Sequence, residues 1–380
     1  MIENDPTRVK RVAVVTGSRA DFGLLTPVMR AVDRHRQLEL LVIAAGAHLV
    51  PPALTFRDVK ALFPVADSIP MQTAGRTGRW ADVEAVGKGV ARFGRSFESL
   101  KPDWVVVLGD RIEAFAAASA ASIGGIALAH IHGGDRAEGV ADEAMRHAIT
   151  KLAHVHLAAT ETSAERIRRM GEKPEHVIVT GSPAVDGLDR VEPLDDERWE
   201  QLGRPGVLFL LHPIGRAMEH EEASADEVIG ALAGERVLFL HPNLDPGREG
   251  IVRALRRAEG AGTSAEHLPR ALFLSTLRRL ADSGGVLVGN SSAGLIEAPA
   301  LGVPVVNVGR RQAGRERPPG VIDVEREQRD LITAAIAKSR SQRAPRAATF
   351  GNGRAAARIA EALAATDPHD QSLLRKRNTY

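Results

Sequence analysis

Trp104-Val105-Val106-Val107-Leu108-Gly109-Asp110 leads into an Ala-rich stretch ending near Ser122, then Gly124-Gly125, then Ile126-Ala127-Leu128-Ala129-His130-Ile131. The first run is apolar and β-branched without alternation, the pattern of a strand buried on both faces. The Ala-rich stretch reads as a helix closed by its glycines, and the last run as a second buried strand. Strand, helix and strand in that order make a right-handed βαβ unit, and hence a mostly parallel sheet. Working outward, Val12 to Val15 is another such strand, followed by Thr16-Gly17-Ser18 and a helix from near Gly23 to about His35. Leu40 to Ala44 is the next strand.

The second half repeats the plan. Val207 to Leu211 and Val237 to Leu240 read as strands. Val286 to Val288 runs through Gly289-Asn290 into a helix to Ala300, then Gly302 and the strand Val303 to Val308. This is a repeat of architecture, not of sequence. It predicts an α/β chain of two Rossmann-like domains, residues 1–185 and 186–352. The join falls between Gly181 and Arg204, where Pro, Gly and Asp are frequent. Residues 353–380 are left as a helix packing back on the first domain, and a polar tail.

Composition narrows the function. The 380 residues are 44% hydrophobic and 26% charged, as in ordinary globular proteins. Fifty Lys+Arg against 48 Asp+Glu leave a net charge of +2, too balanced for a nucleic-acid field. Aromatics are 4% with a single tyrosine, so platforms for stacking single-stranded bases are not expected. Without cysteine there are no disulfides, thiolate metal sites or cysteine nucleophile, which suits a reducing cytoplasmic setting. The start, Met1-Ile2-Glu3-Asn4-Asp5-Pro6, lacks the order of a signal peptide. The run Ile112 to Ile131 is too weakly apolar for a membrane span. For assembly, a homodimer is the default expectation.

In doubly wound sheets a ligand sits beyond the carboxyl ends of the strands. Gly17-Ser18-Arg19-Ala20-Asp21-Phe22-Gly23 follows the first strand and differs from G-x-G-x-x-G, which disfavours a nicotinamide or flavin cofactor. Its glycines allow close approach, and Arg19 can reach a phosphate. His130-Ile131-His132-Gly133-Gly134-Asp135-Arg136-Ala137-Glu138 through His147 is the densest stretch, with Asp142 and Arg146 spaced to pair on a helix. His130-x-His132 and His154-x-His156 could each point two rings one way, but no third metal ligand is evident, and packed histidines are the plainer reading. In the second half, the backbone N–H groups and two hydroxyls of Asn290-Ser291-Ser292 at a helix start can cradle a diphosphate, and Glu297, one to two turns on, could accept hydrogen bonds from a ribose diol. Plainer readings are strand-end caps and solvated loops. Carboxylates in one half and an anion site in the other fit a sugar nucleotide.

Several blocks, in order, carry a specific resemblance. They are Gly17 to Gly23, Gly109-Asp110-Arg111, His132-Gly133-Gly134-Asp135, Asp142 to His154, and Gly181-Ser182-Pro183. They continue with His212-Pro213, Pro242-Asn243-Leu244-Asp245, Gly289 to Pro299 and Arg311-Gln312-Ala313-Gly314-Arg315. Together they resemble the UDP-N-acetylglucosamine 2-epimerases, most closely the hydrolysing branch. The resemblance covers most of the chain. It implies a glycosyltransferase-B fold, two Rossmann-like domains facing across a cleft, with no metal or redox cofactor. It also implies elimination of UDP to 2-acetamidoglucal, then addition of water to give N-acetylmannosamine. In the non-hydrolysing alternative UDP adds back. Position by position, it assigns Asp110, Asp135 and Asp142 to acid/base work and His212 to the departing diphosphate. It places Arg19, Gly23, Arg111, Asn243, Ser291, Ser292, Glu297 and Arg311 in the nucleotide site. One departure stands out: many hydrolysing members carry Glu at the place of Asp135, whose reach is shorter by a methylene. A glycosyltransferase of the same fold would need an acceptor pocket that no motif marks, and a sugar-nucleotide sensor would have no use for the carboxylates.

Overall fold

The computed structural model describes residues 8–51, 53–137, 143–243, 245–341 and 345–379. The chain divides into two compact units; Arg136 and Ala137 group with the second, and otherwise the chain passes from the first to the second after Asp186 and returns at Gly351. The first unit opens with β1 (Lys10–Thr16), α1 (Arg19–Asp33), β2 (Leu38–Ala45), α2 (Phe56–Leu62) and β3 (Val65–Ile69). It continues with α3 (Arg79–Leu100), β4 (Trp104–Leu108), α4 (Ile112–Ile123) and β5 (Ala127–Ile131). Then follow α5 (Glu143–Leu152), β6 (Val155–Ala158), α6 (Glu161–Arg169) and β7 (Val177–Val179). The seven strands lie in the order β3-β2-β1-β4-β5-β6-β7, and every pairing is parallel. The order reverses between β1 and β4, where such a sheet opens a crevice for ligands.

The second unit begins with α7 (Asp196–Gln201), β8 (Val207–Leu210), α8 (Met218–Gly230), β9 (Val237–Leu240) and α9 (Arg248–Arg257). Next come β10 (Gly262–Ala265), α10 (Arg270–Asp282), β11 (Val286–Gly289), α11 (Glu297–Ala300) and β12 (Val305–Val308). It closes with β13 (Val321–Val324) and α12 (Arg329–Ser341). Its six parallel strands run β10-β9-β8-β11-β12-β13, reversing between β8 and β11. The α/β parallel architecture is therefore as the buried strand runs imply. The chain ends with α13 (Ala355–Ala365) and α14 (Gln371–Leu374), both in the first unit.

Amphipathic helices seal each sheet. On α1, Phe22, Leu25, Val28, Met29 and Val32 are buried, and Ile359, Ala360 and Leu363 of α13 join them in one core. Alanines of α4 (Ala116, Ala117, Ala120) pack with Phe93 and Phe97 of α3 on the other face. Burying one such large side chain contributes on the order of 2 kcal/mol. Two boundaries differ from expectation. α1 starts four residues early, because Ser18 and Asp21 close a capping box around its first turn. The helix expected from Asn290 to Ala300 is instead a 3-10 turn, Ser292–Gly294, followed by the four residues of α11. Pro299 has no N–H to bond back one turn, so a helix can hold it only near its start.

A polar knot fastens the tail to the first unit. Glu172, 3% exposed, lies 2.5 Å from Lys151, 2.7 Å from Lys376 and 3.0 Å from His156. Burial alone would raise the Glu172 carboxyl, yet hydrogen bonds from His156, Lys151 and Lys376 hold it down at about 2. The folded chain therefore binds fewer protons than the unfolded chain between about pH 2 and the ordinary 4.5. Stability falls as pH drops through that window. Replacing Glu172 by Gln should cost roughly 1–3 kcal/mol at neutral pH, the size of lost charge-assisted hydrogen bonds. It should also flatten the acid limb of stability measured by urea unfolding. An acid limb identical to the parent's would assign that limb to other carboxylates.

Candidate active site

Within the first unit the polar residues collect beyond the ends of β1, β4 and β5. Thr16 Oγ1 donates to Asp21 at 2.8 Å and lies 2.9 Å from His48 Nε2; Asp21 in turn accepts the Gly17 and Ser18 amides. That bonding spends the Asp21 carboxylate on shaping the turn. Arg19 is the first residue of α1 and is exposed, while Gly23 is a half-buried residue inside the helix rather than in a loop.

Asp110 ends the β4 turn and forms an ion pair with Arg146, a side chain of α5 that is 4% exposed. Arg146 Nη1 also donates to the Asp135 carbonyl at 2.9 Å and lies 3.4 Å from Glu143. One guanidinium thus binds two of the three predicted carboxylate positions together. The third, Asp142, and its expected pairing with Arg146 lie outside the described residues. Asp135 itself is 0% exposed, with Oδ2 at 2.8 Å from His132 Nδ1 and Oδ1 accepting from Ser163 Oγ at 2.8 Å.

Glu113 is a residue that the strand-end reading overlooks. It sits in the first turn of α4, 1% exposed, and Arg111 Nε is 3.8 Å from its Oε2. Burial pushes its carboxyl up, and the Arg111 charge only partly opposes this. Gly17 and Gly46 make room for it, since a Cβ at Gly17 would lie 2.5 Å, and at Gly46 2.2 Å, from Glu113 atoms. Only glycine fits at these two turns. The sequence signal was an acid on an otherwise alanine-rich helix face.

The histidine pairs are committed to hydrogen bonds. His130 Nε2 donates to the Gly109 carbonyl at 2.8 Å, and burial lowers its pKa to about 3. His154 Nδ1 accepts from the Leu128 amide at 3.0 Å, and His156 bonds to Glu172. Among the described residues, no three His, Asp or Glu side chains are placed to hold one metal ion.

The second unit carries His212 beyond β8. Its N–H donates to Asn290 Oδ1 at 2.7 Å, and Asn290 Nδ2 returns a bond to the His212 carbonyl at 2.8 Å. Asn290 therefore clamps the His212 backbone. His212 Nδ1 accepts from the Asn243 amide at 3.1 Å, which places the ring proton on Nε2. Burial first, and then the Arg311 charge, lower its pKa to about 3. It is a neutral hydrogen-bond donor at ordinary pH, not an imidazolium acid. Arg311 Nη1 and Gln312 Nε2 both reach the Asn290 carbonyl, at 3.3 and 3.0 Å. Ser291 Oγ accepts from the Ala293 amide, and Ser292 opens the 3-10 turn. Glu297 is buried at the start of α11 with Arg270 Nη1 at 3.0 Å from Oε1.

Comparison with known proteins places this arrangement. The family described as UDP-N-acetylglucosamine 2-epimerase matches residues 30–364. The chain is 33% identical over 387 residues to the hydrolysing UDP-N,N'-diacetylbacillosamine 2-epimerase of Legionella pneumophila, covering 98% of this chain and 100% of that one. It is 30% identical over 338 residues to the UDP-N-acetylglucosamine 2-epimerase of Neisseria meningitidis serogroup B, covering 86% of each. A solved UDP-GlcNAc 2-epimerase from Neisseria meningitidis, bound to UDP-GlcNAc, superposes with a TM-score of 0.76 at 20% identity. That match covers 93% of this chain and 99% of the other. The two α/β units thus have the glycosyltransferase-B fold. The chain belongs to the UDP-N-acetylglucosamine 2-epimerase family. Among its described residues, no helix is long and apolar enough to cross a membrane.

Proposed function

We propose that the protein is a hydrolysing 2-epimerase acting on UDP-N-acetylglucosamine or a derivative of that sugar nucleotide. The observation that carries this reading is the likeness to the Legionella hydrolysing enzyme along the whole chain. In the first step a carboxylate takes the C2 proton while UDP leaves C1 with the electrons of the C1–O bond, giving 2-acetamidoglucal. Water then adds, oxygen to C1 and a proton to C2 from the other face, yielding N-acetylmannosamine and UDP. A C2 proton without an adjacent carbonyl is weakly acidic, so base and leaving-group stabilisation must act together.

In this proposal Asp110 and Asp142 exchange protons at C2, within an N-terminal domain of residues 1–185. The nucleotide belongs to residues 186–352, with 353–380 completing the first domain. Arg19, Gly23 and Arg111 approach the ligand from the N-terminal domain. Asn243, Ser291, Ser292 and Arg311 hold the diphosphate. His212 donates Nε2–H to it without giving up a proton, consistent with its pKa of about 3.

Incubation with UDP-N-acetylglucosamine, and separately with UDP-N,N'-diacetylbacillosamine, followed by separation of the products, tests the reading. Free 2-epimerised sugar and UDP are expected, with solvent deuterium at C2 when the reaction runs in D2O. Accumulation of the epimerised UDP-sugar would instead establish the non-hydrolysing outcome. Glu297 is assigned to the ribose diol, because Arg270 holds one of its oxygens and fixes its orientation. Glu297→Ala should weaken UDP binding by about 1–3 kcal/mol, the size of a lost charge-assisted hydrogen bond. Unchanged affinity by calorimetry would remove Glu297 from the nucleotide site.

A further inference from the structure

Asp135 heads a closed chain of buried hydrogen bonds. His132 Nδ1 meets its Oδ2 at 2.8 Å, and His132 Nε2 lies 2.9 Å from Ser182 Oγ. Ser182 is 0% exposed, and its hydroxyl also accepts the Ala184 amide at 3.2 Å. An ionised Asp135 has only acceptors to offer, so the shared proton on this side belongs to His132 Nδ1. Ser163 occupies the other Asp135 oxygen, leaving neither oxygen turned to solvent. His132 also sits at φ 63°, in the left-handed region, which is strained for a non-glycine residue. Such a conformation persists only where its surroundings hold it, and Asp135 is three residues away doing so.

We infer that Asp135 is a positioning residue: it never touches the sugar, but locks His132 in its left-handed turn and, through that ring, fixes Ser182. Its backbone carbonyl simultaneously orients Arg146 against Asp110. Proton transfer at C2 then falls to Asp110 and Asp142. The inference rests on the epimerase reaction proposed above, and it assigns a different task to the carboxylate at a position where many relatives have Glu. The shorter side chain suits a group that reaches inward to His132.

The test contrasts two replacements. Asp135→Asn keeps an acceptor for His132 Nδ1–H and turns its amide toward Ser163 Oγ, which can accept. It should keep kcat within about tenfold of the parent. Asp135→Ala removes the acceptor that His132 Nδ1–H and Ser163 Oγ share, and kcat should fall at least a hundredfold with UDP affinity intact, the behaviour of an effect confined to the chemical step. A base at C2 gives the opposite pattern, Asn being as damaging as Ala and both blocking deuterium entry at C2. That result would overturn the inference. Ser182→Ala covers the case in which Asp135→Ala does not fold. It removes one buried hydroxyl and should lower kcat severalfold, and an unchanged kcat would sever the chain at His132. The 15N signature of the His132 ring reads the same network without turnover. Nδ1 protonated in the parent and in Asp135→Asn is expected, and an unprotonated Nδ1 refutes the inference. Should the parent process no UDP-amino sugar at all, the proposed function fails, while the ring signature still decides the role of Asp135.

Discussion

Asp110→Asn should lower kcat by roughly 10²–10⁴ while leaving UDP affinity nearly unchanged, as expected when a general acid or base is removed. Asp110 is positioned at the end of β4, next to the point where the sheet order reverses. Asn retains its shape and a hydrogen bond to Arg146 but cannot take a proton. The residual turnover should incorporate deuterium at C2 at a correspondingly reduced rate. A variant with near-parental rate would move the C2 chemistry away from Asp110. A variant that also lost UDP binding would show that the replacement disturbs more than one step.

The second large effect is expected at Arg146. Its guanidinium is almost fully buried and meets Asp110, the Asp135 carbonyl and Glu143. Removing one partner of a buried ion pair leaves the other charge desolvated, which typically costs about 3–5 kcal/mol. Arg146→Ala should therefore lose roughly that much in urea unfolding and most of its activity with it. Arg146→Lys keeps the charge but cannot span three acceptors with a planar fork, so it should recover stability better than turnover. If Arg146→Ala unfolds at the parental midpoint, the pair contributes no net stability and Arg146 matters only for Asp110.

Central strands such as Trp104–Leu108 and Val237–Leu240 were legible because they are apolar from end to end. The edge strands Val65–Ile69 and Gly262–Ala265 were not, since each alternates exposed and partly buried residues and carries little apolar signal. For the candidate site, residues directly after strands could be nominated from the sequence, because ligands in such sheets sit beyond the carboxyl ends of the strands. Residues acting from helix faces could not. Arg146 meets Glu143 on its own helix, as local spacing allows, but it also pairs with Asp110, 36 positions earlier, which no spacing shows. Ser163 is similar, and Glu113 shows only as an acid on an alanine-rich helix: which way a helix face turns is decided by packing that local spacing does not reveal. The clamp of Asn290 on His212 spans 78 positions and leaves no local trace.

The first unit is not contiguous in sequence, and this has a consequence for synthesis. Asp186 accepts the amides of Ala355 and Ala356 at 2.8 and 2.6 Å, joining the place where the chain leaves that unit to the place where it returns. The second unit, from Gly187 to Phe350, needs nothing translated later to complete its own sheet. The core of the first unit is completed by α13, whose Ile359 and Leu363 share it with Phe22, Leu25 and Met29. During synthesis the second unit therefore has all its strands before the first unit has every member of its core. A nascent chain halted at Phe350 lacks α13, so the side of α1 that packs on that helix is uncovered while the side on β1 and β2 is not. Synthesis of Ala355 to Ala365 then closes that side.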